Sequence, residues 1–238
     1  MIRSKLKPAL LCMTATLTLG LAACGGNDDG SGTAAETSAA GAAGAKKDAK
    51  PAAAAPTLAE GPDVCFRAIA KHLGADTKVS EITSFFSVGS AIDSSDSKPE
   101  GEMTTCTVEY QNPDDPRKLL NTRLNISTGQ FDAPRPVEIT VSGGNAAEFN
   151  LEDYLIPLSK IDAAALTSVM DAQKAKLGEV YSRYAWSGVR LSAPGPFSNT
   201  HTLRLDVTGR LASNDIKEDG YASITTDGKT ITTNHLMP

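Results

Sequence analysis

Between residues 25 and 56 the chain holds no apolar side chain larger than alanine. It runs through Gly, Ala, Ser, Thr, Asp and Lys and closes on Lys50-Pro51-Ala52-Ala53-Ala54-Ala55-Pro56. Such a stretch buries too little surface to offset the entropy of ordering it, so it is expected to stay disordered. The glycines up to Gly44 and the bracketing prolines interrupt any alanine-rich helix. As a flexible coil it spans roughly 30 Å, about 5–6 Å times the square root of its length. A packed core must therefore come from residues 57–238, where hydrophobic residues at 40% of the whole chain supply ordinary globular material.

Within that part the hydrophobic period switches repeatedly. Pro62 to Gly74 reads as a short amphipathic helix, with Val64, Cys65, Phe66, Ile69 and Leu73 at three-to-four spacing and Gly74 as its stop. Four β-like runs follow: Lys78 to Val88, Met103 to Gln111, Leu119 to Ser127 and Pro136 to Ser142. Breakers separate them at Ser94–Gly101, Asn112–Pro116 and Gly129–Pro134. Gly143-Gly144-Asn145 then punctuates the chain. Asn150 to Lys160 is ambiguous, with Leu155, Ile156 and Leu158 apolar but Pro157 breaking any helix. Asp162 is suited to cap a helix to Leu177 closed by Gly178, whose inner face would carry Leu166, Val169, Met170, Gln173 and Leu177. Four more runs complete the chain: Val180 to Leu191, His201 to Leu211, Tyr221 to Thr226 and Lys229 to Leu236. The last two flank the hairpin dipeptide Asp227-Gly228. The expectation is an α+β fold with two tandem units, 57–145 and 146–238. Each would lay one helix on a four-stranded antiparallel sheet; one continuous eight-stranded sheet is the alternative.

The start of the chain has a different character. Arg3, Lys5 and Lys7 precede an apolar run from Pro8 to Leu21, followed by Leu21-Ala22-Ala23-Cys24. This is the layout of a secretory signal peptide, too short for a lasting transmembrane helix. The last four residues resemble the lipobox of bacterial lipoprotein precursors. That resemblance implies removal of residues 1–23 and attachment of a palmitate-type diacylglyceryl anchor to Cys24, with 24–56 as tether. Cys12 follows the large Leu11, does not fit the motif and should leave with the signal peptide. Gly25 rather than Asp after the lipid cysteine implies outer-membrane sorting, facing the periplasm, in a Gram-negative cell. The formal charge is −5; removal of the three N-terminal cations leaves 20 basic against 28 acidic residues, or −8. So acidic a body disfavours nucleic acid as a partner. The bilayer, reached through acylated Cys24, and a protein or envelope component are the partners expected.

Two cysteines remain after processing, Cys65 and Cys106, and export to an oxidising compartment predicts that they bridge. Their spacing is unlike that of a redox pair. The chain shows no nucleophile elbow, no phosphate loop and no paired-histidine metal pattern, and no cofactor or metal is implied. His72 ends a helix, whereas His201 and His235 fall on expected neighbouring strands. The acidic loops Asp93–Asp96 and Asn112–Asp115 lack the alternation of a calcium loop. Tyr181, Arg183, Tyr184 and Trp186 are either a core cluster or an interface anchor, since aromatics and arginine concentrate binding energy. A helix-plus-sheet unit given twice is similar in layout to β-lactamase-inhibitor-type and related inhibitor or immunity proteins. That layout implies inhibition of a cell-wall or toxin enzyme as one candidate, beside assembly and sensing. The expected function is thus a non-catalytic binding module. The alternative is an envelope-polymer-modifying enzyme whose site converges from distant segments, with His201 and His235 as its first test.

Overall fold

The computed structural model describes residues 54–141, 146–195 and 198–238. The expected signal segment and the expected tether up to residue 53, with Cys12, Cys24 and Gly25, lie outside the described residues, as does Gly143-Gly144-Asn145.

The first helix, α1 (Val64–Leu73), buries Val64, Cys65, Phe66 and Ile69 and ends at Gly74, whose φ of 96° is the left-handed stop that only glycine adopts freely. The strands are β1 (Lys78–Phe86), β2 (Met103–Gln111), β3 (Leu119–Asn125), β4 (Gln130–Phe131), β5 (Arg135–Val137), β6 (Ile156–Pro157), β7 (Tyr181–Ser192), β8 (Thr202–Leu211), β9 (Lys217–Thr225) and β10 (Ile231–His235). The second helix, α2 (Leu166–Val180), follows a single 3-10 turn whose Ala165 N–H is capped by the Asp162 carboxylate. Helix α2 does not stop at Gly178. It runs on to Val180 and ends where Tyr181 turns extended, because the next residues are taken up by strand pairing.

All strands join antiparallel in one sheet, in the order β10-β9-β8-β7-β1-β2-β3-β4, with β5 beside β3 and β6 beside β1. The fold is thus a mixture of helix and antiparallel sheet, and its strands form one continuous sheet, the alternative to a separate sheet in each unit. Ile82–Phe85 of β1 pair with Gly188–Leu191 of β7. Two small sheets would each leave open edges of unpaired backbone groups; joining β1 to β7 removes two of those edges. The run expected at 136–142 is also shorter than its alternation suggested. Among the described residues of this run, Arg135–Val137 pairs with β3, while Ile139 packs against the cluster of Leu119, Leu151 and Leu155. Prolines at 134 and 136 deny that segment the donors a full ladder needs.

One face of the sheet carries the core. Ile82, Phe86, Val108, Val189, Leu191, Leu203, Leu205, Val207 and Ile224 pack there with Ile69 of α1 and Leu166 and Leu177 of α2. A disulfide between Cys65 and Cys106, 41 residues apart, ties α1 to β2, and both residues are fully buried. The chain is already fastened where it enters. The Pro56 carbonyl accepts from Met103 N–H at 2.9 Å, and Leu58 N–H donates to the Gly101 carbonyl at 2.8 Å. No helix among the described residues is long and apolar enough to cross a membrane.

The opposite face is covered at its ends by loops. Residues 87–102 pack Val88 and Ile92 on Ala185 and take a hydrogen bond from Arg210 Nε to the Ile92 carbonyl, 2.8 Å. Residues 149–155 pack Phe149, Leu151 and Leu155 around Leu119, and the Tyr154 carbonyl meets His201 Nε2 at 3.1 Å.

Candidate functional site

Between those loops the register lines up two rows of side chains across five strands. The first is Phe85, Gly188, Asp206, Tyr221 and His235, on β1, β7, β8, β9 and β10 in turn. The second, one step along, is Thr83, Arg190, Arg204, Ser223 and Thr233. Directly opposed side chains in such rows lie within contact reach, so each strand contributes to one surface.

A β-bulge is what turns this composition outward. Trp186 pairs with Val207 and Gly188 with Asp206, so Ser187 is an extra residue on β7. Strict alternation would put residues 186, 188 and 190 on one face. The extra residue reverses the parity. Trp186 stays in the core, Val189 and Leu191 join it there, and Arg190 faces solvent.

Asp206 is the centre of the site, only 8% exposed. Arg190 grips it with both ends of its fork, Nε to Oδ2 and Nη2 to Oδ1, each at 2.9 Å. Arg204 adds Nε to Oδ1 at 2.7 Å. Two guanidiniums share this one carboxylate, and charge-assisted bonds of this geometry are the strong ones. Each guanidinium is also held against an aromatic ring. Arg204 lies over Tyr221 at 3.8 Å from the ring centroid, and Arg190 over Phe85 at 5.5 Å. Phe85 keeps 36% exposure, one of the few large apolar side chains to do so. Gly188 makes this packing feasible, since a Cβ there would sit 2.8 Å from Phe85 Cδ1 and 3.0 Å from Asp206 Oδ2. The Tyr221 ring in turn meets the His235 ring at 5.2 Å. Asp219, one row further, is held by Thr208 Oγ1 at 2.6 Å.

Two grooves open on this surface. One of about 410 Å³ is lined by Phe85, Ser187, Arg190, Asp206, Asp219 and Tyr221, with Arg204. The second, about 650 Å³, shares Arg204 and Tyr221 and is otherwise walled by small and hydroxyl-bearing residues such as Ser192, Thr200, Thr202, Ser223, Thr232 and Thr233.

The residues singled out from sequence fall elsewhere. Tyr181 is 2% exposed and donates its hydroxyl to the Leu236 carbonyl at 3.0 Å; Trp186 is 7% exposed. Tyr184 stands between them, 6.4 Å from the Tyr181 ring and edge-on to Trp186 at 6.2 Å. Tyr181 and Trp186 are buried, Tyr184 is half-buried against them, and Arg183 is exposed and paired with Asp215 at 3.0 Å. Two of the three rings are thus spent in the core, leaving the half-buried Tyr184 and the exposed Arg183 of this run at the surface. His201 and His235 are not brought together: β9 lies between their strands, and each has its own neighbour, Tyr154 and Tyr221. His72 stacks on Phe131 at 4.4 Å. The acidic loops organise themselves. Asp96 accepts from Ser87 Oγ and the Val88 and Lys98 amides, and these bonds, Ser87 first, hold its carboxyl below the usual range. Asp93 pairs with Lys217 at 2.6 Å, and Asp115 with Arg117 and Lys118. Among the described residues no three His, Cys, Asp or Glu side chains converge as metal ligands.

No protein-family model matches the chain, and no characterised protein or solved structure is detectably similar to it.

Proposed function

We propose that this is a lipid-anchored envelope protein, exported by residues 1–23 and acylated on Cys24, whose folded part acts as a non-catalytic binding module. The role fits an inhibitor or immunity protein or an envelope-assembly factor, with a protein or envelope component as partner. Leu21-Ala22-Ala23-Cys24 supports the anchor, and a position facing the periplasm from the outer membrane accords with Gly25. The single sheet is read as two tandem helix-plus-sheet units, 57–145 and 146–238, joined edge to edge through β1 and β7.

The observation that carries the binding reading is the pair of rows centred on Asp206. Arg190 and Arg204 are fixed by three hydrogen bonds and two ring contacts on a sheet face that neither helix covers. Side chains locked before a ligand arrives lose little entropy on binding, and arginine with aromatic neighbours is the composition of binding hot spots.

The test is affinity capture from envelope extract by the purified chain, run beside an Arg190→Ala/Arg204→Ala variant and an Arg183→Ala control. A component retained by the wild type and the control but lost with the double variant supports this face as the binding surface. Equal capture by all three, or none by any, sinks it.

A further inference from the structure

The second groove is unusual for so acidic a chain. Among its described lining residues Arg204 is the one charged group, and no carboxylate faces it. Asp219 and Asp206 line the neighbouring groove instead. Arg204 spends its Nε on Asp206 and rests on the Tyr221 ring, so its planar fork is held from one edge and one side. Its two terminal amino groups have no protein partner among the described residues, and the side chain remains 35% exposed. Around it stand hydroxyls. Thr202, Ser223 and Thr233 project from the outer face of three adjacent strands, β8, β9 and β10, and Ser192 pairs with Thr202 from β7. Among the described lining residues the apolar surface comes mainly from the Tyr221 ring and Ala193, a flat face beside the hydroxyls.

A lone, oriented guanidinium asks for a carboxylate or phosphate, which it receives in a bidentate manner. Hydroxyls that both donate and accept ask for a ligand that does the same. The two demands meet in one class of molecule. Resting on the binding-module reading above, we infer that this groove takes an acidic sugar: a ring rich in hydroxyls that carries one carboxylate or phosphate. The anion meets the free edge of Arg204, and the ring hydroxyls meet Thr202, Ser223, Thr233 and Ser192. A volume of about 650 Å³ suits a small ligand or one or two rings of a longer glycan. An acidic peptide is the poorer match, because each backbone group either donates or accepts, whereas every sugar hydroxyl, like the Ser and Thr hydroxyls that face it, does both.

The purified full chain is titrated calorimetrically with oligoglucuronate, a lactyl-bearing amino sugar, a hexose phosphate, the neutral glucose oligomer, acetate, inorganic phosphate and an acidic peptide. At least one acidic sugar binds, and its neutral counterpart binds about tenfold or more weakly, as expected for loss of one charge-assisted contact. Comparison of the uronate with the hexose phosphate decides which anion is read. Acetate and inorganic phosphate bind far more weakly than either, since they leave the hydroxyls unused. Arg204→Ala removes the preference for the acidic sugar. Thr202→Val with Ser223→Ala weakens acidic and neutral sugars alike, and leaves the thermal midpoint near that of the wild type. Arg204→Lys keeps the charge but not the fork, and recovers only part of the affinity. The inference is overturned if no sugar binds at millimolar concentration, if the neutral oligomer equals the acidic one, or if the peptide alone binds. Those outcomes leave the capture experiment untouched, so a protein-binding face without sugar recognition is told apart from no binding face at all.

Discussion

Replacement of Asp206 by asparagine tests the centre of the proposed surface without changing its size. The carboxylate accepts three hydrogen bonds: Oδ1 takes Arg190 Nη2 and Arg204 Nε, and Oδ2 takes Arg190 Nε. An asparagine oxygen can replace Oδ1, but its amide nitrogen then faces Arg190 Nε, a donor against a donor. A hydrogen bond to a charged group is worth roughly 1.5–3 kcal/mol. Side-chain exposures of 30% for Arg190 and 35% for Arg204 let water take part of that loss, unlike in a fully buried pair. Destabilisation of about 2 kcal/mol is the expected result, read from urea denaturation with an unchanged slope. Asp206→Asn combined with Arg190→Ala should cost less than the sum of the two single changes, because both remove the same bidentate contact. A loss under about half a kcal/mol, the range of ordinary surface changes, refutes the claim that Asp206 organises this face. Strict additivity of the pair does the same.

Cys65→Ala/Cys106→Ala opens a loop of 41 residues; chain-entropy reasoning puts the loss at about 4 kcal/mol, and denaturation curves that differ from wild type by less than 1 kcal/mol count against it. Glu109 faces Glu81 directly across β1 and β2, and its carboxyl is held above the usual range by burial first and by Glu81 second. The folded state therefore resists its ionisation, so stability is gained as pH falls through the raised value; Glu109→Gln should stabilise by roughly 0.2–1 kcal/mol at pH 7, and the gain should vanish in acid. An equal shift in melting temperature at both pH values rules out that origin. For the anchor, Cys24→Ala should prevent lipoprotein-type cleavage and move the protein out of the lipid-linked fraction; unchanged electrophoretic mobility and membrane association contradict acylation at that residue.

Local periodicity made most of the fold legible. Val64 to Leu73 repeats at three and four and forms α1. Most of the β-like runs end within a few residues of their observed strands, because each alternates over enough residues to commit one side to the core. The short pieces β4 and β6 have two residues each and no period to read. Joining the halves into one sheet left no local mark either, since the β1–β7 pairing links residues about a hundred positions apart in sequence. The Cys65–Cys106 bond was legible by elimination, as the pair that remains once Cys12 and Cys24, both assigned to the expected signal and anchor region, are set aside.

The candidate site escaped for a related reason, yet one clue lay in the open. Along Tyr184-Ala185-Trp186-Ser187-Gly188-Val189-Arg190-Leu191 the core residues are Trp186, then Val189 and Leu191: a spacing of three, then two. A spacing of three within an otherwise alternating strand requires an inserted residue, and Ser-Gly is where a bulge is tolerated. Counted with that insertion, Arg190 moves to the solvent face. On β8 the core residues Leu203, Leu205 and Val207 put Arg204 and Asp206 on the same outward parity. What no parity argument reaches is that Arg190 stands opposite Arg204 rather than two residues away. That register is fixed by the bulge together with the β7–β8 ladder. Two arginines opposed on neighbouring strands repel unless a carboxylate is shared between them. Asp206, two residues along from Arg204, reaches both because Gly188 leaves the space beside it empty. Arginine, aspartate and glycine on these strands thus form one unit: replacement of Gly188 by a larger residue disturbs the same three hydrogen bonds as replacement of Asp206, though it bears no charge.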